Sequence, residues 1–565
     1  MKFLCRIYKE YVEKKQKKHI KGRNERMFRK NKLGEMILAV TLILCITVTG
    51  CSTGGKTSTS NKEIKTSYNP GPEPKTLTPQ MSNTIPEMII EMALFEGLTR
   101  LDMNNVPQPA IAEKIDVSAD ALKYTFHLRD SKFSNGDPLT AEDFKFSWMY
   151  AMDPVNAAEY AYQIADYIKG GAAYNAKTGK AEDVGIKVID PKILEVTLEN
   201  PTPYFLALTA FPTYFPVDRK VVEANQDWNL KTETFVSNGP FKMISWAHND
   251  KIVVVKNDNY WDAKSVKITE LTFNLIEDTK AALTAYEAGQ VDGVDSVPAD
   301  DIQRLLKSGD LKVAPQLGTY FYAFNVTKKP FDMPEVRQAL TLAIDRKKII
   351  DTVAQTNEKP AFALTPNGIN DADPRKQFRD VGGDYFTEDL AKAKQLLSEA
   401  GFPDGKGFPE IKILFNSNPN NEKIATIIQD MWSKNLGIQA ALRQEEGKVY
   451  IESLHKHDYD VARVWWNGDY LDPMTFLDIF KTGGGNNVTG WANQQYDTLI
   501  SNAKENTDPQ ARMQQLHDAE KILMTEMPVM PIYYPNLVYT SKVYVKDVIH
   551  SPLGMVDFKT ATVEK

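Results

Sequence analysis

Residues 458–473 concentrate the side chains best suited to gripping a charged ligand without breaking a bond. They read Asp-Tyr-Asp-Val-Ala-Arg-Val-Trp-Trp-Asn-Gly-Asp-Tyr-Leu-Asp-Pro. Arg463 offers a fixed positive charge and Asp469 a carboxylate. Trp465 and Trp466 offer flat apolar faces. Val461, Ala462, Val464, Trp465 and Trp466 have the β-branched and aromatic bias of a strand. Asn467-Gly468-Asp469 is a turn-forming cluster. Asp472 and Pro473 have the types of an N-cap and a first helical residue, so Asp469 has no local capping duty. A strand that ends in an exposed turn beside a helix start is where open α/β sheets hold ligands. A buried strand with a polar turn would carry the same pattern.

The elements that must position this stretch alternate. Strand, helix, strand, helix are predicted over residues 411–415, 421–436, 438–442 and 448–454, and the strand 460–466 follows. That is a βαβαβ series with the turn at the sheet's carboxyl edge. An earlier βαβ unit is predicted from strands 271–276 and 291–294 around a helix over 279–288. Residues 241–246 and 252–255 form a strand pair. A helix is predicted over 88–95 after an irregular segment, and another from Pro334 through Ile350. Residues 124–128 alternate as a half-buried strand, Asn135-Gly136 marks a turn, and Thr140-Ala-Glu-Asp143 opens a helix carrying Phe144 and Trp148. Residues 529–539 are strand-rich.

The first 50 residues determine location. They carry 13 Lys/Arg against 4 Asp/Glu, and residues 36–48 are almost unbroken apolar. A basic flank before a short apolar run describes a secretory signal peptide. The run is short for a membrane span. It ends at Val48-Thr49-Gly50-Cys51. Met27 would open a more ordinary leader than Met1. The three cysteines are Cys5, Cys45 and Cys51, so the exported part has no disulfide or thiol chemistry. Residues 51–66 are polar and read as a flexible tether.

The leader's net +9 leaves the other 515 residues at −15 of the total −6. An acidic body argues against nucleic acid as a partner. That length exceeds one core, so at least two lobes are expected. Hydrolase signatures are missing: there is no Gly-x-Ser-x-Gly and no His-Glu-x-x-His. His455 and His457 lack a third metal donor nearby, and no metal or cofactor is expected.

Four stretches together resemble the oligopeptide-binding proteins of bacterial peptide ABC importers, extracellular solute-binding protein family 5. They are the 124–148 run, Asn238-Gly-Pro-Phe with Tyr260-Trp261, residues 458–473, and Pro531-Ile-Tyr-Tyr. The Val-Thr-Gly-Cys51 end of the leader resembles the bacterial lipobox, whose cysteine carries lipid. The resemblance implies an α/β, two-lobed periplasmic-binding-protein-like fold (type II, cluster C) with an extra subdomain on the first lobe. It places the first lobe at 67–95, 219–324 and 536–565, the subdomain at 96–218 and the second lobe at 325–535, after a signal peptide at 1–50. It implies a monomer, lipid-anchored at Cys51 on the outer face of the cell membrane. That monomer traps oligopeptides and passes them to ABC permease subunits.

Residue by residue, Asp469 matches an aspartate that pairs with the peptide ammonium, and Trp466 an indole lining a side-chain pocket. Trp465 and Asn467 match main-chain hydrogen-bonding positions. Tyr160 matches a tyrosine reaching the ligand from the subdomain, and Arg463 a partner of the peptide carboxylate. Asn83 and Ile85 stand where the first lobe offers an acidic side chain and a backbone pairing. The pattern departs at Asn83, which is not acidic, at Leu454, which replaces a second basic residue, and near Glu446, where a tryptophan is missing. The same fold could hold a nickel chelate, haem or a sugar, or serve a peptide pheromone. A secreted peptidase is disfavoured.

Overall fold

Two mixed sheets carry the fold, and the chain passes between them twice. The computed structural model describes residues 63–564; the leader, Cys51 and residues 51–62 lie outside that range. In the first sheet, Lys65–Asn69 sits between Glu270–Asn274 and Gly293–Val294 and runs parallel to both. The helix Thr279–Glu287 links those two outer strands, capped by Asp278, which accepts the Ala281 N–H at 2.8 Å. The expected βαβ unit is thus present, with a third strand inserted in its middle. That strand corrects the tether, which was expected to run to residue 66. Lys65 and Thr66 are already paired, and buried Thr66 donates to Asp292 at 3.1 Å. The polar composition conceals a strand whose hydroxyls find buried partners.

The second sheet contains the βαβαβ series. Ile411–Asn416 lies between Ala440–Glu445 and Val461–Asn467, parallel to both, and Pro419–Leu436 and Gly447–His455 are the connecting helices. On its other side Val461–Asn467 pairs antiparallel with Gly318–Phe324, which pairs in turn with Val529–Tyr534.

The crossings follow from this. Leu311–Pro315 belongs to the first sheet and Gly318–Phe324 to the second; Val529–Tyr534 belongs to the second and Asn536–Ser541 to the first. The boundary expected after residue 324 therefore falls seven residues earlier. Gly318–Phe324 is buried along its whole length, an apolar run that does not announce which sheet it joins. The two crossings touch: the Gln316 N–H donates to the Pro535 carbonyl at 3.1 Å.

A four-stranded antiparallel sheet, Ala112–Val117, Lys123–Leu128, Ile193–Thr197 and Ile186–Asp190, makes the extra subdomain with the helix Ala141–Met152. The Thr140/Asp143 capping box is present. Two helix expectations change. The first helix is Ile85–Leu94, not 88–95, because Thr84 and Glu87 form a capping box with Pro86 inside the first turn. The helix from Pro334 stops at Leu342, and Asp345 caps a separate turn, Arg346–Ile349. Buried Arg346 donates to the Ala361 and Pro531 carbonyls at 3.0 and 2.9 Å, which holds that turn against the sheet.

Candidate functional site

The strand Val461–Asn467 has one paired edge and one largely open edge. The Gly468 N–H reaches the Leu317 carbonyl at 2.8 Å, and the Asn325 N–H reaches the Asp460 carbonyl at 3.0 Å. In an antiparallel ladder bonded pairs alternate. Residues 462, 464 and 466 therefore bond to Gly318–Phe324, and 463, 465 and 467 turn their peptide groups the other way. On that other side Ile411–Asn416 pairs only with Val461 and Ala462. The Arg463 carbonyl accepts the Tyr450 hydroxyl. The peptide groups of Trp465 and Asn467 face the open edge.

Gly468 begins the turn because the space is closed: a Cβ there would sit 2.6 Å from Leu317 Cδ2. Asp469 follows, its N–H held by the Thr475 hydroxyl at 3.0 Å. No cation or hydrogen-bond donor meets its carboxylate among the described residues. Burial, reinforced by repulsion from Asp478, pushes Asp469 up to about 6. Asp472 has a different fate. It accepts the Met474 N–H at 2.9 Å and both arms of buried Arg512 at 2.8 Å. The following helix is a single turn, Met474–Leu477, with Pro473 rather than Asp472 at its N-cap.

Five predicted residues line one cavity of about 480 Å3 between the sheets: Asn83, Ile85, Tyr160, Asn467 and Asp469. Ile85 is the first residue of its helix, where a peptide N–H has no partner one turn back. Tyr160 reaches the cavity from the subdomain, and its hydroxyl is raised by burial and then by Asp469. The Asn83 amide donates to Glu159, so an exposed acid stands beside the position where an acid was expected. The other three predicted residues, Arg463, Trp465 and Trp466, line a second cavity of about 330 Å3 with Asn416, Tyr450 and Leu454. Arg463 Nη1 donates to Asn416 at 3.2 Å, and the guanidinium lies 4.8 Å from the centre of the Tyr320 ring. It has no carboxylate partner among the described residues. Trp466 is tied by its Nε1 to the Thr475 carbonyl at 2.7 Å, and Trp465 to the Asn467 side chain at 2.7 Å.

Asp295 was missed. It follows Gly293–Val294, a two-residue strand with no motif, and lines the first cavity together with Asp469. The Tyr68 hydroxyl donates to it at 2.8 Å, and burial pushes it up to about 6.

Two of the recognisable motifs serve the scaffold. Tyr260 and Trp261 donate to Glu96 at 2.6 and 2.5 Å, and Arg100 bridges Glu96 and Asp557 at 2.9 and 2.6 Å. Asn238 pairs with both peptide groups of Glu96 at 3.2 and 2.8 Å. Gly239 lets that segment approach; a Cβ would lie 2.5 Å from the Leu94 carbonyl carbon.

Two α/β lobes joined by two crossings, with an open strand edge and a carboxylate that has no cation partner between them, define a two-lobed solute-binding protein. The chain belongs to the bacterial extracellular solute-binding proteins, family 5, whose middle region matches residues 106–488. It is 38% identical over 549 residues to the oligopeptide-binding protein OppA of Bacillus subtilis (strain 168), across 93% of this chain and 98% of that protein. Among solved structures it is similar to the murein tripeptide-binding protein MppA in its unliganded open form. The TM-score is 0.79 at 32% identity, over 89% of this chain and 98% of that one. It is also similar to OppA of Haemophilus influenzae in complex with the peptide RPPGFSPFR. There the TM-score is 0.66 at 31% identity, over 89% and 99% of the two chains. The chain is extracytoplasmic, as its family is.

Proposed function

We propose that this protein captures oligopeptides between its lobes and delivers them to an ABC importer. Asp469 carries this reading: a cleft carboxylate raised by burial and lacking a cation waits for a ligand that brings one. A free peptide amino terminus is such a cation. From there an extended peptide runs along the open edge past Asn467 and Trp465, pairing its backbone without reading sequence. Its amino terminus lies at the carboxyl end of that strand, so the peptide is antiparallel to it. Trp465 and Trp466 flank a side-chain pocket, and Arg463 meets the carboxylate of a peptide short enough to end there. Tyr160, Asn83 and Ile85 close the amino-terminal end from the other side. Neither His nor Cys lines the Asp469 cavity, which weighs against a metal chelate as cargo. The cleft holds its ligand without chemistry, and the protein acts as a monomer tethered by lipid on Cys51.

Native mass spectrometry of the purified body tests the reading. Adducts with peptide masses that disappear on partial unfolding and refolding are expected. A body free of adducts that also fails to take up a mixed peptide library would overturn it.

A further inference from the structure

The cavity around Asp469 holds more negative charge than one amino terminus can balance. Asp295 lines it from the first lobe. The two aspartates occupy equivalent places: each follows the carboxyl end of a strand in the parallel part of its own sheet, Gly293–Val294 for one and Val461–Asn467 for the other. Among the residues lining the cavity there is no Lys, Arg or His. The Asp295 carboxylate takes the Tyr68 hydroxyl on one oxygen at 2.8 Å and has no ion pair among the described residues. Apolar surface lies close by, from Ile85, Val538 and Leu553.

We infer that Asp295 is a specificity-determining residue: it receives a cationic side chain of the bound peptide, from lysine or arginine near the amino terminus, while Asp469 receives the terminal ammonium. This rests on the peptide-binding reading above. A buried carboxylate left without a cation is costly, and a cation that pairs with it offsets much of that cost. A lysine or arginine brings the missing charge on an aliphatic stem that suits the apolar wall. Tyr68 fixes the rotamer of Asp295, so the pair forms with little ordering cost. The two carboxylates share one cavity, so the cationic residue is close to the amino terminus rather than at the far end of the peptide.

The test uses calorimetry on tetra-alanine peptides in which lysine, norleucine or glutamate replaces each of the first three residues in turn. Norleucine keeps the stem and removes the charge. At one position lysine should bind the native protein about tenfold more tightly than norleucine, and glutamate more weakly than both. In Asp295→Asn that ratio should fall towards one, and the norleucine peptide should gain several-fold in affinity, because the unpaired carboxylate is gone. Equal binding of lysine and norleucine peptides at all three positions of the native protein would overturn the inference, whatever the variant does. So would a lysine preference that survives in Asp295→Asn. Binding of the alanine peptide without a lysine preference would leave the peptide-binding reading standing and remove only the role of Asp295. Failure of every peptide to bind would remove both.

Discussion

Tyr204 lies flat on Tyr470, with ring centroids 4.2 Å apart and planes 5° from parallel. Tyr204 follows the last strand of the subdomain sheet, and Tyr470 follows Asp469 directly. Tyr167 meets Tyr470 edge-on at 6.3 Å. The subdomain therefore leans on the second lobe beside the carboxylate proposed to hold the ligand. Offset and edge-on ring pairs add about 0.5–1.5 kcal/mol beyond area burial.

That stack yields the first prediction. Tyr204→Ala should lower the unfolding free energy of the unliganded protein by about 1–3 kcal/mol. It should weaken peptide binding several-fold through Tyr470 and Asp469, whereas Tyr204→Phe keeps most of both. Urea denaturation and titration calorimetry on the two variants check this. An alanine variant that matches the native protein in both would show the stack to be idle.

The second concerns motion. Both crossings are short, and the Gln316–Pro535 hydrogen bond ties them together. The backbone is more similar to an unliganded open relative than to a peptide-bound one. Hinges of a few residues absorb such closures. Saturating peptide should reduce the radius of gyration in small-angle scattering. Unchanged scattering, with binding confirmed in the same sample, would count against closure.

Much of this was legible in the sequence where local chemistry decides. The alternation of residues 411–467 announced a βαβαβ series. Asp469 stood out because the turn around it left it without local work. Signals that depend on long-range pairing were not legible. Lys65 and Thr66, the first residues of the strand Lys65–Asn69, read as tether because polar Thr66 finds its partner, Asp292, more than 220 residues away. Asp472 read as a cap because its partner, Arg512, lies 40 residues on. Asp295 gave no signal at all. It becomes a candidate only when the topology brings the ends of two separate sheets to one cavity. Thr84-x-x-Glu87 was a readable capping box that was passed over, and it moves the start of a cavity-lining helix to Ile85.

The third prediction is pH dependence. Asp469 must be ionised to pair with an ammonium, and in the free protein it stands at about 6. Above pH 7 it is already charged. Below pH 6 binding must first release its proton, so affinity for a free-amine peptide should fall about tenfold between pH 7 and pH 5. Stability runs the opposite way. The folded value lies above the ordinary 3.8, so burial of the charge costs nothing below pH 4 and its full amount above pH 6. Asp469→Asn should therefore stabilise the unliganded protein at pH 7, on the order of 1–2 kcal/mol, and leave it alike at pH 4. Denaturation at both pH values, and calorimetry across the range, would show otherwise if affinity and stability were flat.

The fourth concerns the anchor. Cys51→Ser should lose its fatty acyl label and leave the membrane fraction, because more than one lipid chain on that residue would supply the stable hold. Continued acyl labelling of the variant would place the lipid on another residue.

The most direct measurement is a calorimetric cycle on Asp469 and the peptide amino terminus. Native protein and Asp469→Asn are each titrated with a free and an N-acetylated peptide. Each single change should weaken binding by about 2–5 kcal/mol, since either leaves a buried charge without its partner. The two changes together should cost less than their sum, because both remove the same pair. If free and acetylated peptides bind the native protein equally well, Asp469 does not hold the amino terminus.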